Sequence, residues 1–284
     1  MAADESTAQY KQIAQDLQRQ IEQGVLGPGD RLPSEEELAA QWAVSRNTVK
    51  AAIKELTKRE RVKTIPKVGS FVTEDVPPFV ITLNHTDLGE DEGPGRAFGG
   101  GEGRAFVTEA RRQNHSAHSS KPSVEIITAT EMHIKALKIP PAGPDEDAPD
   151  VVCRFQKRFI DDKPNSMQWS YFTWDLGFKA KALVKSVDIT EGTVAYLRNF
   201  DHVQVGYEDV FEARPPTPEE AEFFGLPKDS LAVIVHRRTA YDQNGEPFRL
   251  TVTVYKPGSN KFRFIAGDVP EEVWKNRPTA QEHE

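Results

Sequence analysis

The sequence predicts a multidomain α+β chain: a small helical unit closed by a β-hairpin at the N-terminus, then a larger α+β domain built on an antiparallel sheet. Three observations predict it. Residues 7–75 hold three short apolar helix faces followed by two strand-length runs, and residues from 104 on alternate long strand runs with turn signals. Between them, 76–103 is rich in proline and glycine. A length of 284 residues suits two ordinary domains. We therefore assign 7–75 to the first domain, 76–103 to a linker and flexible Gly-rich insert, 104–270 to the second domain and 271–284 to a tail.

Composition narrows the function. The one cysteine, Cys153, excludes an internal disulfide framework and a four-cysteine zinc site, and points to a structural role in a reducing compartment. No run approaches the ~18 apolar residues that span a bilayer, and Met1–Tyr10 lacks the basic and apolar regions of a signal peptide. We expect a cytoplasmic protein with no membrane partner. A net charge of -8 argues against nucleic acid as partner, yet the sum hides an asymmetry. Between Trp42 and Thr73 stand Arg46, Lys50, Lys54, Lys58, Arg59, Arg61, Lys63 and Lys67, against Glu55 and Glu60.

The elements of the first domain follow in order. Tyr10, Ile13, Leu17 and Ile21 recur at steps of three or four, the spacing of one helix face, with Thr7 as N-cap and Gly24 as stop. Gly27-Pro28-Gly29-Asp30 makes a turn. Ser34 followed by Glu37 is a capping box opening a second helix that carries Leu38 and Trp42. After the break at 43–45, Ser45 caps a third helix that buries Val49, Ala52, Ile53 and Leu56. Two short helices joined by a tight turn, the second opening with polar residues, place that helix's first side chains in a DNA major groove. Arg46 can read a guanine edge, Asn47 an adenine edge or a phosphate, and Lys50 and Lys54 lie along the backbone. Val62–Ile65 and Ser70–Thr73 then form a hairpin around 66–69, a wing whose Lys67 and Gly69 suit close approach to phosphates. The first domain is thus a winged helix-turn-helix.

This stretch resembles the winged-helix domain of the GntR family of bacterial transcription regulators. The matching residues are Tyr10, Ile13 and Ala14; Gly24, Pro28, Gly29, Asp30, Leu32, Pro33, Ser34 and Glu35; Leu38 and Ala39; Val44 to Val49; and Gly69 to Val72. The resemblance implies a homodimer reading an inverted-repeat double-stranded DNA operator, with Ser34, Ser45, Arg46, Asn47, Thr48, Lys50, Lys54, Lys67, Gly69 and Ser70 at the interface. Three positions depart from the family pattern: Glu36 stands where arginine is frequent, and Glu60 and Lys67 stand where glycine is usual.

Val76-Pro77-Pro78 favours an extended connection. The seven glycines between Gly89 and Gly103, with almost no apolar content after Leu88, predict a mobile loop that cannot offset its ordering entropy. A phosphate-cradling loop would need a preceding buried strand and a terminal Gly-Lys-Ser or Gly-Lys-Thr, and neither is present. His115 and His118 are three apart, but serine neighbours and the lack of an acidic or cysteine partner nearby make a surface loop the expectation rather than a metal site.

In the second domain Ser123–Ala129 reads as a strand, 130–139 as a short helix and 140–150 as a loop of prolines and acids. Residues 151–175 read as a hairpin of long strands turning at Asp161-Asp162-Lys163-Pro164. A strand at 202–216, a capped helix at 217–226 and a second hairpin at 231–257, turning at Gln243-Asn244-Gly245, complete the antiparallel α+β reading.

The domain resembles the UTRA ligand-binding domain of HutC-like GntR regulators, an architecture shared with chorismate lyase. Carrying the resemblance are Phe106, Thr108, Glu109, Arg111 and Arg112; Arg158 to Pro164, then Ser170 and Tyr171; Glu212 to Pro215; Glu219 to Leu226; and Arg237 to Phe248, with the strand closing at Tyr255. It implies a pocket between the two hairpins for a small polar effector. Thr108, Arg158, Gln168, Ser170, Tyr171, Glu212, Arg249 and Tyr255 are the implied effector-binding residues, Arg158 offering a bidentate fork to carboxylate or phosphate. Gln156 stands where sugar-phosphate binders often carry a second arginine, and Gln168 and Arg249 where they often carry carboxylates. That exchange argues against an amino-sugar phosphate. The competing reading makes Arg158 and Arg249 solvated strand arginines in a domain that only dimerises, serving a constitutive repressor. An enzyme is the third reading, but no nucleophile–base pair, metal-ligand set, cofactor motif or paired carboxylates stand out. The expected function is a DNA-binding regulator, a repressor released from its operator by an effector.

Overall fold

The computed structural model describes residues 2–59, 61–73, 78–83, 101–143, 147–226, 232–264, 269–270 and 272, with side chains from 9 onward and, in the helix opening at Gly101, from 106 onward. The chain divides into two compact units, one founded on Met1–Val76, the other on Pro77–Phe224 and Ala232–Glu284.

The first unit opens with α1 (Ala2–Glu22), so the helix runs through Thr7 rather than being capped there. Ile13, Ala14 and Leu17 face inward, as their spacing requires. Helix α2 (Glu35–Trp42) starts at the Ser34–Glu37 capping box, with the Glu37 amide donating to Ser34 Oγ at 3.2 Å and the Ser34 amide to Glu37 Oε2 at 2.7 Å. It ends at Ala43 in a left-handed conformation (φ 52°), which turns the chain into α3 (Arg46–Lys58). Val49, Ala52, Ile53 and Leu56 of α3 join Leu17, Leu38 and Val62 in one core. The hairpin β1 (Val62–Ile65) and β2 (Gly69–Val72) pairs antiparallel, its second strand starting one residue before the expected Ser70. Residues 29–32 run beside β2, with the Leu32 amide on the Ser70 carbonyl (2.8 Å) and the Val72 amide on that of Asp30 (2.8 Å). Gly69 has φ 146°, a backbone conformation that L side chains rarely adopt, and this requires glycine there.

The second unit begins inside the expected linker. Strand β3 (Phe79–Thr82) pairs in parallel with β11 (Asn260–Arg263), and α4 (Gly101–Arg112) starts on the last glycines of the expected insert. Both are corrections to a structureless 76–103, while the mobile-loop expectation for 84–100 lies outside the described residues. The helix α4 has its reason in Phe106, Ala110 and Gln113, an i, i+4, i+7 face that is buried.

The main sheet, seven strands among the described residues, is antiparallel throughout in the order β4 (Ala117–Ser119), β6 (Asp150–Ile160), β7 (Lys163–Thr173), β10 (Pro247–Tyr255), β9 (Val233–Asp242), β8 (Gln204–Arg214), with β5 (Ser123–Thr128) also on β6. The β6–β7 hairpin turns on Asp161 and Asp162, both at positive φ (48° and 61°), the twist-matched two-residue turn. His115 Nδ1 meets the Asp161 carboxylate at 2.6 Å, and His118 stacks on Phe159 within β4. No metal-ligating cluster occurs among the described residues. Four further helices, α5 (Glu131–Ala136), α6 (Trp174–Lys179), α7 (Thr193–Leu197) and α8 (Pro218–Phe224), decorate the sheet. Of these, α5 and α8 were expected; α6 and α7 were not.

Apolar clusters cover both sheet faces. On one, Val152, Phe172, Ala240 and Phe248 pack with Leu176, Leu183 and Leu197; on the other, Val151, Leu250 and Tyr171 pack with Ile127, Leu137 and Ile139. Cys153 is buried and its thiol is pushed up to about 11 by that burial, in keeping with a structural residue. No helix among the described residues is long and apolar enough to cross a membrane.

Candidate DNA-binding face and ligand cavity

Two sites emerge, one in each unit. In the first, the buried face of α3 turns Arg46, Asn47, Lys50 and Lys54 to solvent, and Lys67 tops the exposed wing tip. The N-terminal turn of α3 carries no acid, so its amides and dipole favour an anion such as a phosphate. Ser45 Oγ accepts the Thr48 amide (3.2 Å) and bonds Thr48 Oγ1 (2.9 Å). Thr48 is buried, which turns it into the cap instead of the groove, a correction to its expected DNA contact. Ser34 is likewise engaged in the α2 cap, and Ser70 Oγ shares a hydrogen bond with Thr64 (2.9 Å). The solvent-facing cations have intramolecular company: Arg46 is ion-paired with Glu36, and Lys50 lies 3.7 Å from Glu35.

The second site follows from strand register. Paired residues on neighbouring strands share a face, so Arg154, Ser170, Thr251, Arg238 and Asp209 form one row across β6, β7, β10, β9 and β8. Gln156, Gln168, Thr253, His236 and Phe211 form the next row. A small open cavity of about 50 Å³ lies over these rows. Its floor is Arg158, Gln168, Thr251, Thr253, Tyr255, His236 and Arg238; β3 and α4 supply the cover through Phe79, Ile81, Leu83, Phe106 and Glu109.

Hydrogen bonds hold the floor in place. Arg158 Nη2 donates to Gln168 Oε1 (2.5 Å), and Gln168 Nε2 to Thr253 Oγ1 (3.0 Å), while the Arg158 guanidinium lies 5.2 Å from the centre of the Phe106 ring. Arg238 grips Asp209 through Nε (2.7 Å) and Nη2 (2.6 Å), and His236 Nε2 meets the same carboxylate at 2.8 Å. Burial pulls the Asp209 pKa up, but the Arg238 and His236 bonds override it and hold the group below its ordinary value. At Glu109 burial wins over the Thr82 amide, 3.0 Å away, and pushes the carboxyl up. Thr251 Oγ1 is buried with no hydrogen-bond partner among the described residues, although it lines the cavity.

Of the expected effector residues, Arg158, Gln168 and Tyr255 line the cavity. Ser170 and Arg249 share its sheet face outside the lining, and Thr108 lies on α4 off the face that carries Phe106 and Glu109. Arg158 and Arg249 are 5% and 4% exposed, which overturns the solvated-arginine reading. Tyr171 and Glu212 are corrections. Strand alternation sends each to the opposite face, where the Tyr171 ring packs at a 46° tilt against His133, 4.3 Å between centres, and Glu212 pairs with Arg237 (2.9 Å). Gln156 bonds the Ser120 carbonyl (2.9 Å) instead of facing the cavity. Sequence reasoning missed Glu109, His236, Arg238, Thr251 and Thr253. For the last two a signal was present: in Leu250–Tyr255 the threonines alternate with Leu250, Val252 and Val254, marking one polar face in a strand of otherwise apolar character.

Comparison with known proteins agrees with this architecture. Residues 9–72 match the family described as bacterial regulatory proteins, gntR family, and residues 146–259 match the UTRA domain. The mannosyl-D-glycerate transport/metabolism system repressor MngR of Escherichia coli (strain K12) is 39% identical over 66 residues, 23% of this chain and 28% of that protein. A histidine utilization repressor of Klebsiella aerogenes is 42% identical over 65 residues, 23% of this chain and 27% of its own length. The matches thus span under a third of those two relatives. The HTH-type transcriptional repressor NagR of Bacillus subtilis (strain 168) is 22% identical over 258 residues, covering 90% of this chain and 93% of NagR. The crystal structure of PhnF from Mycobacterium smegmatis shares the fold at a TM-score of 0.51, with 18% identity over 89% of this chain and 98% of that one. A winged helix of the gntR type followed by a UTRA domain is the domain pair of bacterial transcription regulators. Residues 9–72 therefore form a winged-helix domain of the gntR type, and residues 146–259 a UTRA domain.

Proposed function

We propose that the chain is a transcriptional repressor that binds an inverted-repeat operator as a homodimer and leaves it when a small polar effector fills the cavity of its UTRA domain. The observation that carries the DNA reading is the solvent face of α3, where Arg46, Asn47, Lys50 and Lys54 lie beside the Lys67-tipped wing on a rigid, doubly capped helix pair. Arg46 reads a base edge, and the lysines position the helix on phosphates.

The effector reading is supported by the cavity, which a domain that only dimerises does not need. Arg158 offers charge, Gln168, Thr251 and Thr253 offer neutral hydrogen bonds, and the Phe79 and Phe106 rings offer apolar cover. This points to a small ligand with one anionic group and several hydroxyl or amide groups. Part of the cover is β3, the first strand after the winged unit in chain order. A ligand that favours one arrangement of β3 shifts the population of the whole regulator.

The test is Arg46→Ala on the purified protein, with an operator selected from a random duplex pool by the wild type. A bidentate arginine–base contact is worth about 1–3 kcal/mol, so selective affinity should fall ~5- to 150-fold with the melting temperature unchanged. Equal affinity for the selected operator removes Arg46 from the readout.

A further inference from the structure

The first turn of α2 carries Glu35, Glu36 and Glu37 in a row, next to the helix that is to meet a polyanion. A helix N-terminus attracts acids for local reasons, and Glu37 is accounted for by its capping box. The other two reach across to α3 instead. Glu36 is ion-paired with Arg46, and Glu35 lies 3.7 Å from Lys50 Nζ, so Arg46 and Lys50 on the DNA-facing surface already have carboxylate counter-ions. All four partners are substantially exposed, 42–69% by side chain, so the pairs add little to folding. Their effect falls on what Arg46 and Lys50 offer to a phosphate.

We propose that Glu35 and Glu36 form an intramolecular mask over α3, competing with DNA phosphates for Lys50 and Arg46 and so weakening non-specific binding to duplex DNA. The proposal rests on α3 being the DNA-binding helix. A duplex must displace each carboxylate from its cation or accept it beside its own phosphates, and either route reduces the net counter-ion release that drives non-specific association. A sequence that gives Arg46 a bidentate partner offsets that cost, whereas an arbitrary sequence does not. The mask therefore widens the gap between specific and non-specific affinity without touching a base itself.

The experiment measures binding of the full chain to a mixed-sequence 30-base-pair duplex from about 50 to 300 mM salt, the range over which phosphate contacts are screened. Wild type is compared with Glu35→Gln/Glu36→Gln, with Glu36→Gln alone, and with Glu22→Gln/Glu191→Gln, which removes the same charge from exposed residues outside α2 and α3. Melting temperatures are taken alongside, and Glu36→Gln keeps the Glu35 pair should the double variant fold poorly. The double variant should bind about three- to thirtyfold more tightly at the lowest salt. Its log–log salt slope should steepen by about 1 to 2, and the gain should shrink toward the highest salt. Glu36→Gln should show part of the gain and the remote control none. Affinity and slope equal to wild type, or an equal gain in the remote control, overturn the mask. If acids serve only the α2 dipole, melting temperatures move and DNA affinity does not, which also overturns it. No salt-sensitive binding by any form would instead overturn the reading of α3 itself.

Discussion

Glu109 and Asp209 belong to the same domain, yet their surroundings drive them in opposite directions. Glu109 sits under the Phe79 and Phe106 cover, and burial raises its pKa against the lowering effect of the Thr82 hydrogen bonds and of Arg112 and Arg263. A carboxyl whose folded pKa lies above its unfolded value contributes stability below the unfolded value and loses it as pH rises through the folded one. Glu109→Gln, which keeps an acceptor for Thr82, should therefore melt higher than wild type at pH 7, with the gap closing near pH 4. A variant that melts lower at pH 7 would show that the carboxylate is needed. Asp209 is the reverse case: its pKa is lowered by Arg238 and His236, so its contribution is present above the unfolded value and fades as pH falls through the folded one.

At the scale of elements, the β6–β7 hairpin joins the two strands that carry Arg158 and Gln168. Its turn places Asp161 and Asp162 in the left-handed region, where glycine carries no Cβ penalty. Asp161 is otherwise engaged, accepting the Ser116 amide at 2.9 Å, but Asp162 is 93% exposed by side chain and only 3.7 Å from an exposed His118. Asp162→Gly should stabilise the protein by about 0.5–1 kcal/mol, read as a small rise in melting temperature. A lower melting temperature would assign Asp162 a role beyond the turn.

This turn was legible in the sequence, as were the Ser34 and Ser45 caps and the core faces of the first three helices, because each depends on neighbours within a few residues. Strand β3 was not, since Phe79–Thr82 finds its partner in Asn260–Arg263 and nothing local marks a parallel pair so distant in sequence. Helix α4 was hidden by the glycines at its start, and α6 and α7 are too short to show a period. Of the candidate site, Arg158, Gln168 and Tyr255 were legible, and the misplacement of Tyr171 has a simpler reason. Ser170 and Tyr171 cannot both face the cavity from one strand, and alternation alone would have separated them.

For the whole molecule, the question is whether the cavity speaks to the DNA-binding unit. Small polar metabolites can be screened by thermal shift, since a ligand at 100 times its Kd stabilises the native state by ~2.7 kcal/mol. A ligand found this way should release the wild type from its operator. In Arg158→Ala the operator affinity should stay within about threefold, because Arg158 belongs to the other unit, while the ligand shift and the release are lost. A normal release by Arg158→Ala would remove Arg158 from the effector site.

The β3–β11 pairing also orders events on the ribosome. The winged-helix elements α1 to β2 are all synthesised once residue 72 has emerged, whereas β3, part of the cavity's cover, waits for its much later partner β11. Under the proposed function, a nascent chain completes the elements that would meet DNA before the pocket that would receive the effector, and a product cut short after Tyr255 would lack the partner strand of β3.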